Sequence, residues 1–388
     1  MRFSMKRVGL FLICVSACAV ASQTGENANL GIFVETRLMR IPGMKPFKMP
    51  KLPPGITLPA AARQFMPGSP TRSLKVKLWA PVTAPDDATA TLAVPSGLQL
   101  GDKLNLSIYK PAPPSSSGAG GGTSSPSNNP SQPPDFTIKI YWGSSATVRD
   151  GQPKVFSLAN LTSEGRSVMM SRMSQMRMGG ASMTYRDHGT TAFWPGTGDS
   201  GEIKDEATMP GTYTVNSSFA GSSTVEAPSG VDFLAPIEIT SPNLDQKVAL
   251  DGPLAFQWNQ IPNCLGQYAT AFGMQDKNTL ILWSSSENFG DRISGDMGYL
   301  QMADVKSLVD QNTFLKGDAT SVTIPAGIFK DCSVALYNMF GYGPGAANDG
   351  SSPVARIQTK TDLTVLLARP SRGGPGGGGT RAGAPGEE

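Results

Sequence analysis

The chain has 388 residues, 44 of them glycine and 32 proline, with only 16% charged and a formal net charge of +3. That length accommodates two domains. So little charge and so much Gly and Pro suit short strands and loops better than a helical bundle, and a net charge of +3 is too small for any steering by the whole molecule.

The N-terminus, "MRFSMKRVGLFLICVSACAVASQTGE", combines a basic start at Arg2, Lys6 and Arg7 with an apolar run from Val8 to Val20. The run is shorter than the ~20 residues a bilayer-spanning helix needs, which predicts an export signal over residues 1–21. "AVA" suits cleavage after Ala21. "VSAC" resembles a lipobox and would instead make Cys18 an acylated N-terminus. The protein is thus expected in the periplasm or outside the cell. It would carry no transmembrane helix once the signal is removed, and would be membrane-anchored only if lipidated at Cys18.

Residues 22–72 read as an extended basic strap. Between Arg37 and Lys77 there are nine Lys or Arg and no acid, and "RIPGMKPFKMPKLPPGITLP" is punctuated by proline. Proline fixes φ and removes a backbone donor, leaving little room for helix.

From residue 73 the pattern becomes that of half-buried strands, with apolar residues at every second position. "SLKVKLWA" places Leu74, Val76 and Leu78 on one face, "DKLNLSIYK" Leu104, Leu106 and Ile108, and "FTIKIYW" Phe136, Ile138 and Ile140. The Ser/Gly/Pro segment 111–135 between the last two has no side chains for a core and reads as a flexible insertion. A first β-sandwich domain is therefore predicted over 73–235. The only clear helical periodicity is in 301–315, with Met302, Val305, Leu308 and Val309 on one face. The Gly-rich tail 369–388 is read as disordered. Its Arg-Gly content would suit RNA in a cytosolic protein, but behind an export signal it reads as a spacer, and no nucleic-acid partner is expected.

The strongest pattern runs through 236–368: "PIEITSP", "LAFQW", "QYATAFGM", "TLILW", "TSVTIPAGIF" and "CSVALYNMFGYGPG". This succession resembles a fibronectin type III or related immunoglobulin-like sandwich. The resemblance assigns Trp258 to a strand packed between the sheets, Tyr268 to the strand that follows, and Tyr337, Asn338 and Gly341 to the penultimate strand and its turn. It also places Cys264 and Cys332 at the starts of two antiparallel neighbours. Their Cα atoms would then lie farther apart than the ~7 Å a disulfide allows, so no bridge is expected. "IKIYWGSSATVRDGQPKV", "LILWSSSE" and "TIPAGIF" together resemble segments of exported bacterial proteins without an assigned activity, which transfer no catalytic residues.

Chemistry-bearing residues are sparse. His188 is the only histidine, in "TYRDHGTTAFWPG", and no Gly-x-Ser-x-Gly elbow occurs, so a Ser-His triad lacks its parts. No phosphate-binding loop or dinucleotide fingerprint is present. Carboxylate pairs for glycoside hydrolysis are Asp86 with Asp87, Glu202 with Asp205 and Glu206, and Glu287 with Asp291, all in turn-like contexts.

"SVMMSRMSQMRMGG" (167–180) holds five methionines. Thioethers select Cu(I), which makes Met173, Met176, Met178 and His188 a candidate copper set, although Arg166, Arg172 and Arg177, interleaved in the methionine-rich run, oppose a cation. The same methionines equally suit an irregular apolar gap or an adaptable contact surface. Trp194 in "AFWPG" and Tyr342 in "GYGPG" are candidates for stacking on a ligand.

The sequence therefore predicts an all-β protein of two β-sandwich domains, with a low-complexity insertion and a disordered Gly-rich tail. Its expected role is a non-enzymatic exported binding or structural module of the cell envelope or secreted matrix, without a cofactor, whose partner is an envelope protein or polysaccharide. The alternatives are a periplasmic Cu(I)-binding protein and a carboxylate-dependent carbohydrate-active enzyme.

Overall fold

The computed structural model describes residues 27–45, 68–111, 136–157, 188–196, 201–289, 298–348 and 350–368. The first strands are β1 (Asn29–Arg40), β2 (Thr71–Ala80), β3 (Ala90–Ala93), β4 (Lys103–Asn105), β5 (Ser107–Tyr109), β6 (Thr137–Trp142) and β7 (Lys154–Ser157). Next come β8 (Thr190–Trp194), β9 (Glu202–Ile203), β10 (Gly211–Ser217), β11 (Gly221–Ala227), β12 (Ile239–Ser241), β13 (Leu254–Trp258), β14 (Gly266–Met274) and β15 (Thr279–Ser284). Helix α1 (Met302–Asp310) follows, then β16 (Leu315–Lys316), β17 (Ser321–Ile324), β18 (Val334–Tyr342), β19 (Ala346–Asn348) and β20 (Val354–Ala368). The all-β expectation holds, and α1 is the single α-helix among the described residues.

One large sheet, in the order β5-β8-β2-β1-β20-β18-β14-β15-β6-β7, runs through the molecule. Two smaller sheets, β11-β10-β3-β4 and β12-β13-β17, supply the facing layers. Each buries its own core against the large sheet. Tyr213, Val215 and Leu92 meet Leu74, Val76 and Leu78 in the first, and Phe256, Trp258 and Ile324 meet Ala271, Trp283 and Tyr337 in the second. The Phe256 and Tyr337 rings stack at 4.0 Å between centroids, 6° from parallel.

The two cores share their longest strands. β1 contributes Leu30, Ile32 and Val34 to the first core and Leu38 to the second. β20, parallel to it, contributes Ala355 and Ile357, then Leu363, Val365 and Leu367. Between these sets the same face carries Thr36, Thr359 and Thr361, each at most 3% exposed. The two hydrophobic clusters are thus separated by a band of hydroxyls rather than by a break in the chain.

Two placements differ from the sequence expectation. Residues 29–40 fall within the predicted basic strap, yet they form a central strand of the large sheet. "LGIFVETRLM" alternates as a half-buried strand should, but proline begins only at Pro42 and its density beyond masked that signal. β6 and β7 precede residue 235 in sequence but extend the second half of the sheet, because β6 pairs in parallel with β15. Residues 1–26, the insertion 112–135 and the tail 369–388 lie outside the described residues.

Helix α1 is shorter than the predicted 301–315. Val305 and Leu308 are buried and Val309 partly so, while Met302 is 46% exposed. The helix stops as Asn312 turns to φ 54°, a conformation asparagine tolerates better than most residues. Its buried side packs on Tyr268, Phe314, Phe340 and Tyr342, on the face of the large sheet away from the smaller sheets. Tyr268 therefore serves this outer cluster rather than the core between sheets. Asn338 and Gly341 lie within β18 rather than in a turn after it.

Cys264 and Cys332 are free thiols. β14 and β18 run antiparallel with Gly266 opposite Tyr342 and Met274 opposite Val334. The two cysteines consequently stand at opposite ends of that strand pair, as the expected absence of a bridge required.

Candidate functional site: a buried ion cluster on the central strands

In a strand, residues two apart share a face. Glu35 and Arg37 on β1 therefore point the same way, as do Lys360 and Asp362 on β20. The parallel register sets Glu35 opposite Lys360 and Arg37 opposite Asp362. All four project from the outer face of the large sheet.

The Lys360 ammonium donates toward Glu35 Oε1 at 3.0 Å, and Arg37 Nη2 donates to the same oxygen at 3.1 Å. Arg37 Nε donates to both Asp362 oxygens at 3.2 Å. Glu35, Lys360 and Asp362 have side chains 2–6% exposed, and Arg37 23%. An aromatic wall closes the site: the Lys360 ammonium lies 4.7 Å from the Tyr299 ring centroid and 5.8 Å from that of Phe340, and Phe33 packs on Tyr299 at 4.7 Å. Tyr299 and Phe340 present their electron-rich faces to the cation.

Burial sets the electrostatics. Removal from water pushes the Glu35 carboxyl up, but Lys360, the hydrogen bond with Asp362, and Arg37 outweigh it and hold Glu35 below the usual carboxylate range. Asp362 moves the other way. Burial and the neighbouring Glu35 charge raise it well above the ordinary 3.8, against Arg37 and Lys360. Burial works against the Arg37 charge, yet Asp362 and Glu35 fix it firmly in the charged form. The two carboxyls are thus driven apart, Glu35 toward its ionised form and Asp362 toward its protonated one, as expected when two acids share a dry site.

A cavity of about 180 Å³ lies farther along the same face of β20, lined by Leu300, Met302, Gly343, Gly345, Arg356 and Gln358 among others. Its floor is close backbone: a Cβ on Gly345 would stand 2.4 Å from the Ile357 carbonyl oxygen.

The residues singled out in the sequence are dispersed. Met173, Met176, Met178 and Cys18 lie outside the described residues. His188 is exposed, its ring meeting Trp79 edge-on at 5.5 Å, and its carbonyl accepts a hydrogen bond from Trp79 Nε1 at 3.2 Å. Trp194 is half-buried on β8, packed against the first core. Tyr342 is 1% exposed with its ring on Phe314, so its flat face stacks inside the protein and not on a ligand. Among the described residues, no three His, Cys, Asp or Glu side chains converge to hold a metal ion.

The proposed carboxylate pairs are also apart from the cluster. Asp86 is taken by Lys110 at 2.8 Å, and Glu287 by Arg149 at 2.6 Å. Asp205 and Glu206 are exposed in a turn, where the Asp205 backbone oxygen accepts from Arg72. Asp291 lies outside the described residues.

Sequence reasoning did not find the buried four. A signal was present: "ETR" and "KTD" set charges two apart on apolar strands, with opposite order of sign. Two such triplets are complementary when paired in parallel, but the pairing of β1 with β20 joins residues more than 300 positions apart.

No protein-family model matches the chain, and no curated protein matches it.

Proposed function

We propose that the protein is an exported, non-enzymatic binding or structural module of the cell envelope or secreted matrix. The observation that carries this reading is the ion cluster. Its acids and bases satisfy one another at 3.0–3.2 Å and are closed in by aromatic rings. A catalytic acid must reach the atom it protonates. Glu35 and Asp362 are 3–4% exposed, so their work is to tie β1 to β20.

Export rests on the basic and apolar N-terminal pattern ending at Ala21. For residues 236–368, the fibronectin type III-like assignment draws support from strand order. β12, β13 and β17 face β15, β14, β18 and β20, with Trp258 and Tyr337 enclosed between them. A scaffold of this type presents loops from a rigid frame, which suits a binding role on an envelope protein or polysaccharide.

The test is expression of the full chain in a bacterial host, followed by fractionation and intact-mass analysis. Export gives a mature chain beginning at Ser22 or an acylated Cys18, and the purified product should co-sediment with cell-wall polysaccharide without shortening it. Retention in the cytoplasm, or release of reducing sugar ends that Glu35→Gln abolishes in a folded variant, overturns the proposal.

A further inference from the structure

β6 and β15 run parallel, so the segments that follow them, 143–153 and 285–289, leave from the same end of the large sheet. Both are held there by hydrogen bonds. The Ser145 amide donates to the Thr323 carbonyl at 3.2 Å and the Ala326 amide to the Ala146 carbonyl at 3.0 Å, while the Thr323 amide donates to Ser144 Oγ at 2.9 Å. The Gln152 side chain clasps Trp142, accepting from its amide at 3.2 Å and donating to its carbonyl at 2.8 Å. On the other segment, the Glu287 amide donates to the Asn312 carbonyl at 3.0 Å and Asn288 Nδ2 to the Gln311 carbonyl at 2.6 Å. The corner is thus fastened to β17 on one side and to the end of α1 on the other.

Two pairs of side chains are displayed on this frame. Tyr141 packs on the second core, so Trp142, the next residue along β6, turns to the outer face. Its half-buried ring lies 5.0 Å from that of Phe289, with the planes 55° apart, and Phe289 is 46% exposed. Beside the rings, Arg149 Nη1 donates to Glu287 Oε2 at 2.6 Å, with the two side chains 37% and 43% exposed. Gly143 brings the pairs together. Its φ of 86° favours glycine, and a Cβ there would stand 2.6 Å from the Arg149 guanidinium carbon, so the guanidinium lies over the backbone next to Trp142. Trp142 and Arg149 come from one segment, Phe289 and Glu287 from the other. Among the described residues, Trp142 and Phe289 join none of the apolar clusters. Rings shown to solvent on so rigid a loop frame serve recognition better than packing.

The chemistry of the corner selects the partner. Arg149 and Glu287 cancel each other's charge, which leaves no local field to favour a polyanion or a polycation. Arg149 Nη2 also donates to the Ser144 carbonyl at 3.0 Å, and Glu287 Oε1 accepts from the Ser144 amide at 3.2 Å. A guanidinium has more N–H donors, and a carboxylate more lone pairs, than these bonds use. Donor and acceptor therefore stand side by side, the arrangement that matches a hydroxyl group, which is both at once. The rings add flat, electron-rich faces for polarised C–H bonds. A peptide recognised through its main chain needs backbone partners, and here the Gly143, Ser144, Ser145 and Glu287 amides all donate internally.

We propose that this corner is a carbohydrate-binding site, where Trp142 and Phe289 form a ledge on which a neutral pyranose of a polysaccharide stacks while Arg149 and Glu287 hydrogen-bond its hydroxyls. The proposal rests on the reading of the protein as a binding module, and it names an uncharged polysaccharide as the partner.

The full-length protein is titrated with cellohexaose, chitohexaose and maltohexaose, beside hexagalacturonate and a decapeptide of proline, by tryptophan fluorescence and calorimetry. At least one neutral sugar should bind saturably. Phe289→Ala should weaken it roughly tenfold or more, Phe289→Tyr should retain it, and Glu287→Gln should weaken it by a smaller factor. Phe289 is exposed, so the thermal unfolding curve should not move with its removal. Absence of binding by all three neutral sugars overturns the proposal. So does affinity unchanged in Phe289→Ala, or a preference for hexagalacturonate or polyproline. Co-sedimentation with cell-wall polysaccharide that persists in Phe289→Ala also overturns this site, yet keeps the binding-module reading by moving it to another surface. Wild-type protein that neither binds a neutral sugar nor co-sediments ends both.

Discussion

Lys360 and Glu35 meet at 3.0 Å across a parallel strand pair, with side chains 2% and 3% exposed. They belong to strands near opposite ends of the sequence, so the contact fastens the first strand of the described residues to the last. A buried pair of this kind is strongly destabilising to break from one side, because the remaining charge stays in a dry site. Lys360→Met should therefore cost about 3–5 kcal/mol in urea unfolding. Replacing both partners, Glu35→Leu with Lys360→Met, should recover part of that loss. A single-site cost below about 1 kcal/mol would mean that water reaches the cluster.

The two carboxyls predict opposite responses to pH. The folded-state value of Glu35 is depressed below the ordinary 4.5, so its contribution is present above 4.5 and lost as pH falls through the lower folded value. That of Asp362 is raised above 3.8, so its contribution is complete below 3.8 and lost as pH rises through the folded value. Asp362→Asn should accordingly be tolerated better than Glu35→Gln, since the neutral amide resembles the form toward which burial drives Asp362. The variant should also flatten the decline in stability above pH 4. Urea midpoints of wild type and both variants between pH 4 and 8 check this, and equal losses would show that both acids are ionised.

The period-two pattern made the strands and the all-β class legible, because burial on one pleated face imposes it directly. β2, β6, β13 and β14 appear where "SLKVKLWA", "FTIKIYW", "LAFQW" and "QYATAFGM" placed them. What stayed hidden depends on long-range pairing. β1 looked like part of a proline-rich strap, and nothing local says that Glu35 will find Lys360. β6 followed β5 in sequence yet joined the other end of the sheet, a consequence of the long insertion between them. The candidate site was illegible for the same reason: each half is an ordinary charged strand until the other lies beside it.

The thiols offer a separate check on packing. Burial pushes Cys264 up to about 11, against backbone hydrogen bonds that lower it, and burial with the Asp331 charge pushes Cys332 up to about 11. The thiolate is the reactive species, so at pH 8 each should alkylate roughly a hundredfold more slowly than a free cysteine. Iodoacetamide labelling of folded protein should be slow at both sites and become fast in urea, without a disulfide-linked product in between. Rapid labelling at Cys332 alone would mean that the β14–β18 end opens locally.

Gly317, in the tight connection after β16, tests the second core at its rim. A Cβ there would stand 2.0 Å from the Cys264 carbonyl oxygen and 2.7 Å from its carbon, both backbone atoms that no side-chain rotation can move aside. Gln267 Nε2 donates to the Lys316, Gly317 and Ala319 carbonyls, at 3.2, 2.9 and 2.8 Å, so the displacement would pull on a buried amide as well. Gly317→Ala should then cost about 1–3 kcal/mol, the usual range for overpacking, with greater loss if the Gln267 bonds break. Gly252, with nothing within 4 Å of a Cβ, is the control, and Gly252→Ala should be neutral within about 0.5 kcal/mol. Thermal and urea unfolding of the two variants would separate them. Equal stability would show that β16 is held loosely enough to swing away, and that Gln267 owes its burial to something other than this turn.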